Sequence, residues 1–308
     1  MMILNSKTNS SELRQVDRIG NNVWIDLVNP TKKELKEAVE KTGALMEHIT
    51  AALDEDEKSR IEVETESTLF IFRIPFKTKD NKMDTLPLGI VATKKNIITI
   101  CLHKSEIIND FYEDKIKNFF TNNRTRFILR IFSRANNYYL RYLNLIEKDI
   151  DVVEKTLMKA FSNKDIAELL AIRKTLIYFN TAVISNGSVL DKISKGRTLK
   201  LRSGDDDLLE DIIIDNKQVI EMSTISSNVL GTVMDAYVSI ISNNLNNILK
   251  FLTSITIIVA IPPLISGFFG MNVGIPISEN PYAFWIIVML SIMSSASVAY
   301  IFVKKRWF

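Results

Sequence analysis

LNNILKFLTSITIIVAIPPLISGFF, residues 245–269, and YAFWIIVMLSIMSSASVAYIFV, residues 282–303, decide the fold. A helix needs roughly 20 mostly apolar residues to cross the hydrocarbon core of a bilayer, and both stretches reach that length. The second has no charged residue. Tyr282 and Trp285 stand at one end of it, and Lys304, Lys305, Arg306 and Trp307 at the other, as side chains that anchor a span at its two interfaces do. The competing reading, a helix hidden in a soluble core, asks a domain of this size to bury 22 uncharged residues in a row.

Outward from these spans the chain is polar. Of its 308 residues 24% are charged, yet after Lys250 only Glu279, Lys304, Lys305 and Arg306 carry charge. A soluble part joined to a short apolar one gives this distribution. The net charge of +3, with no Lys/Arg run interleaved with aromatics, argues against nucleic acid as a partner. Cys101 is the single cysteine; it lies in an apolar run and reads as a buried strand residue, which points to a reduced compartment. His48 and His103 are the only histidines, too few for a Cys/His zinc site. The N-terminus lacks the apolar core of a signal peptide, so about the first 240 residues are expected in the cytoplasm.

Between the spans lie residues 270–281, with one acidic and no basic residue, while basic residues flank the other ends. The positive-inside rule then places both termini in the cytoplasm and the short connection outside, and so short a connection makes the two helices antiparallel neighbours.

The first span is the more informative. Asn243, Asn244, Asn246, Asn247 and Lys250 open it, and Thr253, Ser254 and Thr256 follow. Polar groups at membrane depth are costly unless they meet protein or water. On a helical count Asn246, Leu249, Thr253, Thr256, Ala260 and Leu264 share one face, with Leu252 at its margin. This uncharged face reads either as a water-contacting wall or as a surface that packs helices together. Pro262 and Pro263 are expected to kink the helix or loosen its hydrogen bonding.

Gly270-Met271-Asn272 follows the span directly. A glycine there permits a tight backbone, and the asparagine beyond it can present its amide carbonyl. The tripeptide means little alone; its place at the outer end of the penultimate span, before a short loop, a last span and a basic tail, is distinctive. With the run from Tyr237 to Thr253 and the ending Val303-Lys304-Lys305-Arg306-Trp307-Phe308, the chain strongly resembles the CorA family of divalent-cation (magnesium) transporters over nearly its whole length.

That resemblance implies an α+β cytoplasmic domain, a long stalk helix running into a two-helix membrane domain, and a funnel-shaped homo-oligomer, a pentamer, in the cell membrane. It implies Asn272 as the selectivity asparagine beside Gly270 and Met271, Asn246 and Thr256 as polar positions of the pore, and Leu249 with Leu252 as a hydrophobic gate. The chemistry is consistent with Mg2+ as cargo: the ion dehydrates reluctantly, so a ring of neutral carbonyls can accept hydrogen bonds from its water shell, whereas a carboxylate ring would hold it too tightly. The corresponding division is 1–105 an α/β lobe, 106–204 a helical hairpin, 205–244 the stalk, 245–269 the pore helix, 270–281 an extracellular loop, 282–303 the second span and 304–308 a basic cytoplasmic tail.

Within the polar part, strands are expected at 23–27, 68–76, 88–93 and 96–101. A helix opens at Thr31, with Glu34 completing a capping box and Gly43 as its stop. Helices are expected over 124–161 and 165–193, broken by Ser162-Asn163-Lys164, and from Asp205 onward without interruption, with Ile212, Val219, Met222, Leu230, Val233, Tyr237 and Ile240 on one stripe and Gly231 as its weak point. Carboxylates cluster at residues 54–57 and 205–211, which by composition is a solvated face. The family resemblance offers a further reading, in which Asp54 (in Ala52-Leu53-Asp54, with a one-residue gap) and Asp211 meet across subunits and hold regulatory Mg2+; Ser133, Asn136 and Asn137 offer no carboxylates for an additional site. Relatives that move Co2+, Ni2+ or Zn2+ give one alternative, disfavoured by a path without His or Cys. A membrane-anchored sensor or scaffold that passes no ion gives another. No Ser-His-Asp set or Gly-rich phosphate loop indicates an enzyme.

Overall fold

The computed structural model describes residues 2–7, 13–78, 82–156, 163–196, 198–199, 201–274, 280–305 and 307. The chain divides into two compact units, Met1–Thr232 and Val233–Phe308.

In the first unit the strands are β1 (Met2–Ser6), β2 (Arg14–Gln15), β3 (Trp24–Val28), β4 (Arg60–Val63), β5 (Ser67–Lys77), β6 (Met83–Thr93) and β7 (Ile97–Cys101). They form one sheet in the order β2-β1-β3-β7-β6-β5-β4. At its centre β7 runs parallel to β3 and antiparallel to β6. Every residue of β7 is buried, which is why this strand reads as a continuous apolar run. Neighbouring strands carry two different faces. Ile25, Leu27, Leu69, Ile71, Ile98 and Ile100 form an aliphatic core with Leu35 and Ala38 of α1 (Lys32–Thr42) and Ile49 of α2 (Met46–Ala51). The alternate residues Trp24, Phe70 and Phe72 meet aromatics: Trp24 lies 5.1 Å from Phe127, and Phe72 stacks 4.2 Å from Phe132. Both rings belong to α4 (Arg124–Thr156), and Phe111 of α3 (Glu106–Tyr112) joins them.

Local chemistry sets the edges of these elements. Thr31 Oγ1 accepts from Glu34 N–H while Thr31 N–H donates to Glu34 Oε2, and Gly43 closes α1 at φ 72°, where a side chain would be strained. At Gly89 a Cβ would stand 2.6 Å from Ala52 Cβ, so only glycine admits the segment that follows α2 so close to β6. The sheet is larger than the sequence pattern suggests. β6 starts at Met83, not near 88, and pairs with β5 over its full length. Pro87 masks this, but β7 pairs only with Gly89–Ala92, so its missing N–H falls where β6 has a free edge.

α4 is followed by α5 (Asn163–Ser194); of the expected break Ser162-Asn163-Lys164, Ser162 lies outside the described residues, and Asn163 and Lys164 already belong to α5. Asn186 of α5 donates to Arg73 O of β5 at 2.8 Å, and Tyr139 of α4 donates to the same carbonyl at 3.0 Å. α6 (Asp205–Phe269) begins in this unit. Its buried residues Ile212, Asn216, Val219, Ser223, Ser226 and Leu230 alternate by three and four, a coiled-coil-like seam. Two of the polar members bond across the seam, Ser223 donating to Leu176 O at 3.4 Å and Ser226 to Glu147 Oε1 at 3.2 Å, while Asn216 Nδ2 is buried with no partner among the described residues. Asn136 of α4 donates to Ile212 O at 3.0 Å. Gly231 interrupts nothing; the helix continues through it.

Asp26 is the one charged residue buried in the parallel pair, opposite Thr99 in register. Thr99 Oγ1 donates to it at 2.6 Å and Tyr112 OH at 2.7 Å, while Trp24 Nε1 donates to Thr99 Oγ1 at 2.8 Å. Burial outweighs these bonds and raises the carboxyl above its ordinary range. A folded-state pKa above the unfolded one means stability that is complete below the unfolded value and is lost as pH rises through the folded one. Asp26→Asn removes that titration. In denaturant melts of the full chain, the stability difference of variant minus wild type is expected to grow as pH rises from about 4 to about 8; a difference that shrinks would show the charged carboxylate to be the favoured form.

Candidate functional site

The second unit is built from the later part of α6 and from α7 (Ala283–Lys304). Both contain a window long and apolar enough to cross a membrane, and only 6% of each window is buried. A core helix of a soluble protein would hide most of such a window, so the core-helix reading fails. Around α7, Tyr282, Phe284 and Trp285 are exposed at one end and Lys304, Lys305 and Trp307 at the other. Asn280 Oδ1 accepts from Tyr282 N–H at 2.9 Å at the start of this helix.

The covered faces of the two helices hold serines among larger apolar residues. Ser254 is fully buried, Ser291 nearly so, and Ile258, Ile261, Ile265 and Phe269 of α6 are partly covered, as are Ile287, Ser294, Ser295, Val298 and Phe302 of α7. Both series follow the helical repeat, so each helix offers one face. Ser254 and Ser291 bond back to Lys250 O and Ile287 O, at 2.7 and 2.8 Å, which lets small polar residues sit in the contact without an orphaned hydroxyl. Sequence reasoning grouped Ser254 with the polar residues of the span and did not see this role; its only trace there is the helical spacing of serines at 291, 294 and 295.

Asn246, Leu249, Thr253, Thr256, Ala260 and Leu264 are all exposed. At 3.6 residues per turn their centre lies roughly 140° around α6 from the face that meets α7. α7 therefore does not supply the packing partner for the polar face. Leu252 is 58% exposed at the margin of that face, and Thr256 Oγ1 is turned back to Leu252 O at 2.8 Å. Beyond the helix, Gly270 N–H donates to Ser266 O at 2.8 Å, and a Cβ on Gly270 would come within 3.2 Å of that same oxygen. Met271 and Asn272 are exposed just past this closure. Residues 275–279, with Glu279, lie outside the described residues, as do Arg306 and Phe308.

Asp54 and Asp211 stand on different elements of the first unit, and both are exposed. Asp54 Oδ1 accepts from Asp56 N–H at 3.0 Å. Asp211 lies one turn before Asp215, whose carboxyl is raised by burial and then by the charge of Asp211. Among the described residues no three His, Cys, Asp or Glu side chains gather as a metal-binding group. Asn136 Nδ2 donates to the α6 backbone, while its Oδ1 is buried with no partner among the described residues.

An α+β unit, a 65-residue helix whose end is an apolar span, and a second apolar helix packed on it define a membrane protein anchored by two helices. A family model described as "CorA-like Mg2+ transporter protein" matches residues 20–306. The chain is 29% identical over 291 residues to the cobalt/magnesium transport protein CorA of Methanocaldococcus jannaschii, covering 92% of this chain and 91% of that protein. It is 23% identical over 300 residues to the magnesium transport protein CorA of Helicobacter pylori, covering 92% and 90%. The complete structure of the CorA magnesium transporter from M. jannaschii superimposes with a TM-score of 0.89 at 27% identity, covering 100% of this chain and 99% of that one. This chain belongs to the CorA family and is a divalent-cation transporter of the membrane.

The helix contact gives a direct test. Ser254→Leu forces a branched side chain into a fully closed position and is expected to destabilise the two-helix unit by about 1–3 kcal/mol, whereas Ser254→Ala is tolerated. Thermal melts of the purified protein in detergent measure the difference.

Proposed function

We propose that several copies of this chain enclose a pore with the Asn246–Leu264 face of α6, and that the pore conducts Mg2+ into the cytoplasm. One observation carries the reading: an uncharged polar face stands exposed on a membrane-spanning helix, turned away from α7, the other candidate span among the described residues. Asparagine and threonine at that depth need water or another copy as partner. Asn272 selects at the outer mouth by accepting hydrogen bonds from the ion's water shell, with Gly270 and Met271 shaping its turn. Asn246 and Thr256 repeat this chemistry inside, and Leu249 with Leu252 form a constriction that excludes water when narrow. The family supports a homopentamer, with both termini and the first unit in the cytoplasm and residues 270–281 outside. Lys304 and Lys305 at the C-terminal end of α7 agree with that orientation.

Mg2+ is preferred as cargo because the path offers oxygen donors and no His or Cys, which Co2+, Ni2+ or Zn2+ would favour. The M. jannaschii relative is described as a cobalt/magnesium transport protein, so competition between the two ions in liposome flux decides the preference. For regulation, Asp54 of one copy and Asp211 of the next hold Mg2+ when its cytoplasmic concentration is high; the ion offsets their repulsion and keeps Leu249 and Leu252 closed. Both carboxylates are exposed, and among the described residues no metal-binding group forms around them, which is consistent with a site shared between copies.

Asn246→Leu and Asn272→Leu are each expected to lower Mg2+ uptake into proteoliposomes roughly tenfold or more, the cost of losing a ring of hydrogen bonds to the hydrated ion. Uptake unchanged in both would favour a sensor or scaffold that passes no ion. Asp211→Lys is expected to leave conduction intact while abolishing its decline as internal Mg2+ rises. A variant that still closes normally removes Asp211 from the regulatory site.

A further inference from the structure

Two consecutive prolines in a membrane-spanning helix remove two main-chain donors, so two carbonyls one turn earlier lose their partners. Pro262 has no N–H for Ile258 O and Pro263 has none for Val259 O, yet α6 continues to Phe269. In hydrocarbon a bare carbonyl is too costly; proline is tolerated there where a neighbouring side chain or water takes over. The two freed carbonyls meet different fates. Ser295 Oγ of α7 donates to Ile258 O at 3.4 Å, on the half-buried side of α6. No side chain among the described residues donates to Val259 O. The nearby hydroxyls are spent elsewhere, Thr256 on Leu252 O at 2.8 Å, Ser266 on Pro263 O at 3.1 Å and Ser297 on Met293 O at 2.7 Å. Val259 is 64% exposed and stands two turns beyond Leu252, on the same side of the helix.

The stretch also lacks any other polar group. From Ile257 to Ile265 no side chain carries an oxygen or nitrogen, roughly 13 Å of helix between Thr256 and Ser266. A helix carbonyl points toward the C-terminal end, which sets the Val259 oxygen near the middle of this gap.

We infer that the Val259 carbonyl faces the conduit, and that its copies form a ring of main-chain acceptors bridging Thr256 and Asn272 for the water shell of the passing cation. The inference rests on the pore reading above. Pro263 is then the residue that sets the ring free, while Pro262 serves the tie to Ser295. A neutral carbonyl ring draws a cation forward without stripping its water, and it does so where side chains give nothing.

The test compares Pro263→Ala with Pro262→Ala in purified, reconstituted full-length protein. Pro263→Ala returns an N–H to Val259 O and is expected to lower Mg2+ uptake about tenfold, although its smaller side chain can only widen the passage. Pro262→Ala is expected to conduct nearly as wild type does. Placing the α-hydroxy analogue of alanine at 263, which has no N–H, is expected to restore uptake. Its result stands by itself should Pro263→Ala fail to assemble. Equal losses in both alanine variants, wild-type uptake in Pro263→Ala, or no rescue by the analogue would overturn the inference. If Asn246→Leu abolishes uptake while Pro263→Ala leaves it intact, the carbonyl ring alone fails; if neither changes uptake, the pore reading fails with it.

Discussion

A helix in hydrocarbon must satisfy every polar group it carries, because no water is there to do so. α6 carries asparagines, threonines, two serines and two proline-freed carbonyls into that region, and the rest of the second unit follows from how each is met. On one side the answer lies in the chain itself. Ser254 turns to its own helix, Ser295 reaches across to Ile258 O, and the small serine-lined face of α7 permits the approach. On the other side no partner stands among the described residues, and the proposed assembly around a wet axis rests on that open side.

The first unit obeys the same rule with different means. Its sheet is covered on both faces, aliphatic under α1 and α2 and aromatic under α3 and α4, so its buried polar groups must pair within the protein. Asp26, Thr99, Trp24 and Tyr112 form one such chain. The seam of α6 with α4 and α5 obeys the rule in part: Ser223 and Ser226 are bonded across it, Asn216 Nδ2 has no partner among the described residues, and all three occupy positions that a simple apolar seam would give to leucine or valine. A seam with buried polar members fixes its register at some cost in stability. The same helix goes on to carry Asn246, Leu249 and Leu252, so the regulation proposed for Asp211 has one continuous helix to act along.

Much of this was legible in the residues. Thr31, Glu34 and Gly43 mark both ends of α1 by local hydrogen bonding alone, and the two spans announce themselves by length and lack of charge. What escaped depends on distant partners. β1, β2 and β4 are short or polar strands defined by the neighbours they pair with, and Pro87 conceals the first half of β6 because its tolerance depends on where β7 stops. In α6 the apolar residues of the seam were visible, its buried serines and Asn216 were not, since nothing in their spacing distinguishes a satisfied buried hydroxyl from a solvated one. The polar face of the span could be listed from sequence, but only the position of α7 shows that this face has no partner among the described residues. The family resemblance, stated on Gly270-Met271-Asn272 and its setting, agrees with the match over residues 20–306.

The central claim is that the Asn246–Leu264 face of α6 meets water across the bilayer. The chain is well suited to a direct measurement, because its one cysteine, Cys101, is buried and its thiol is pushed up to about 12 by burial, leaving it inert to thiol reagents. Single cysteines placed in turn along α6 in reconstituted protein can be exposed to a membrane-impermeant, charged thiol reagent. Reaction at 249, 253, 256 and 260 with the helical repeat, and none at 254, 258 or 265, is the result expected. Protection of the first set, or reaction confined to the second, would contradict a water-filled passage along this face.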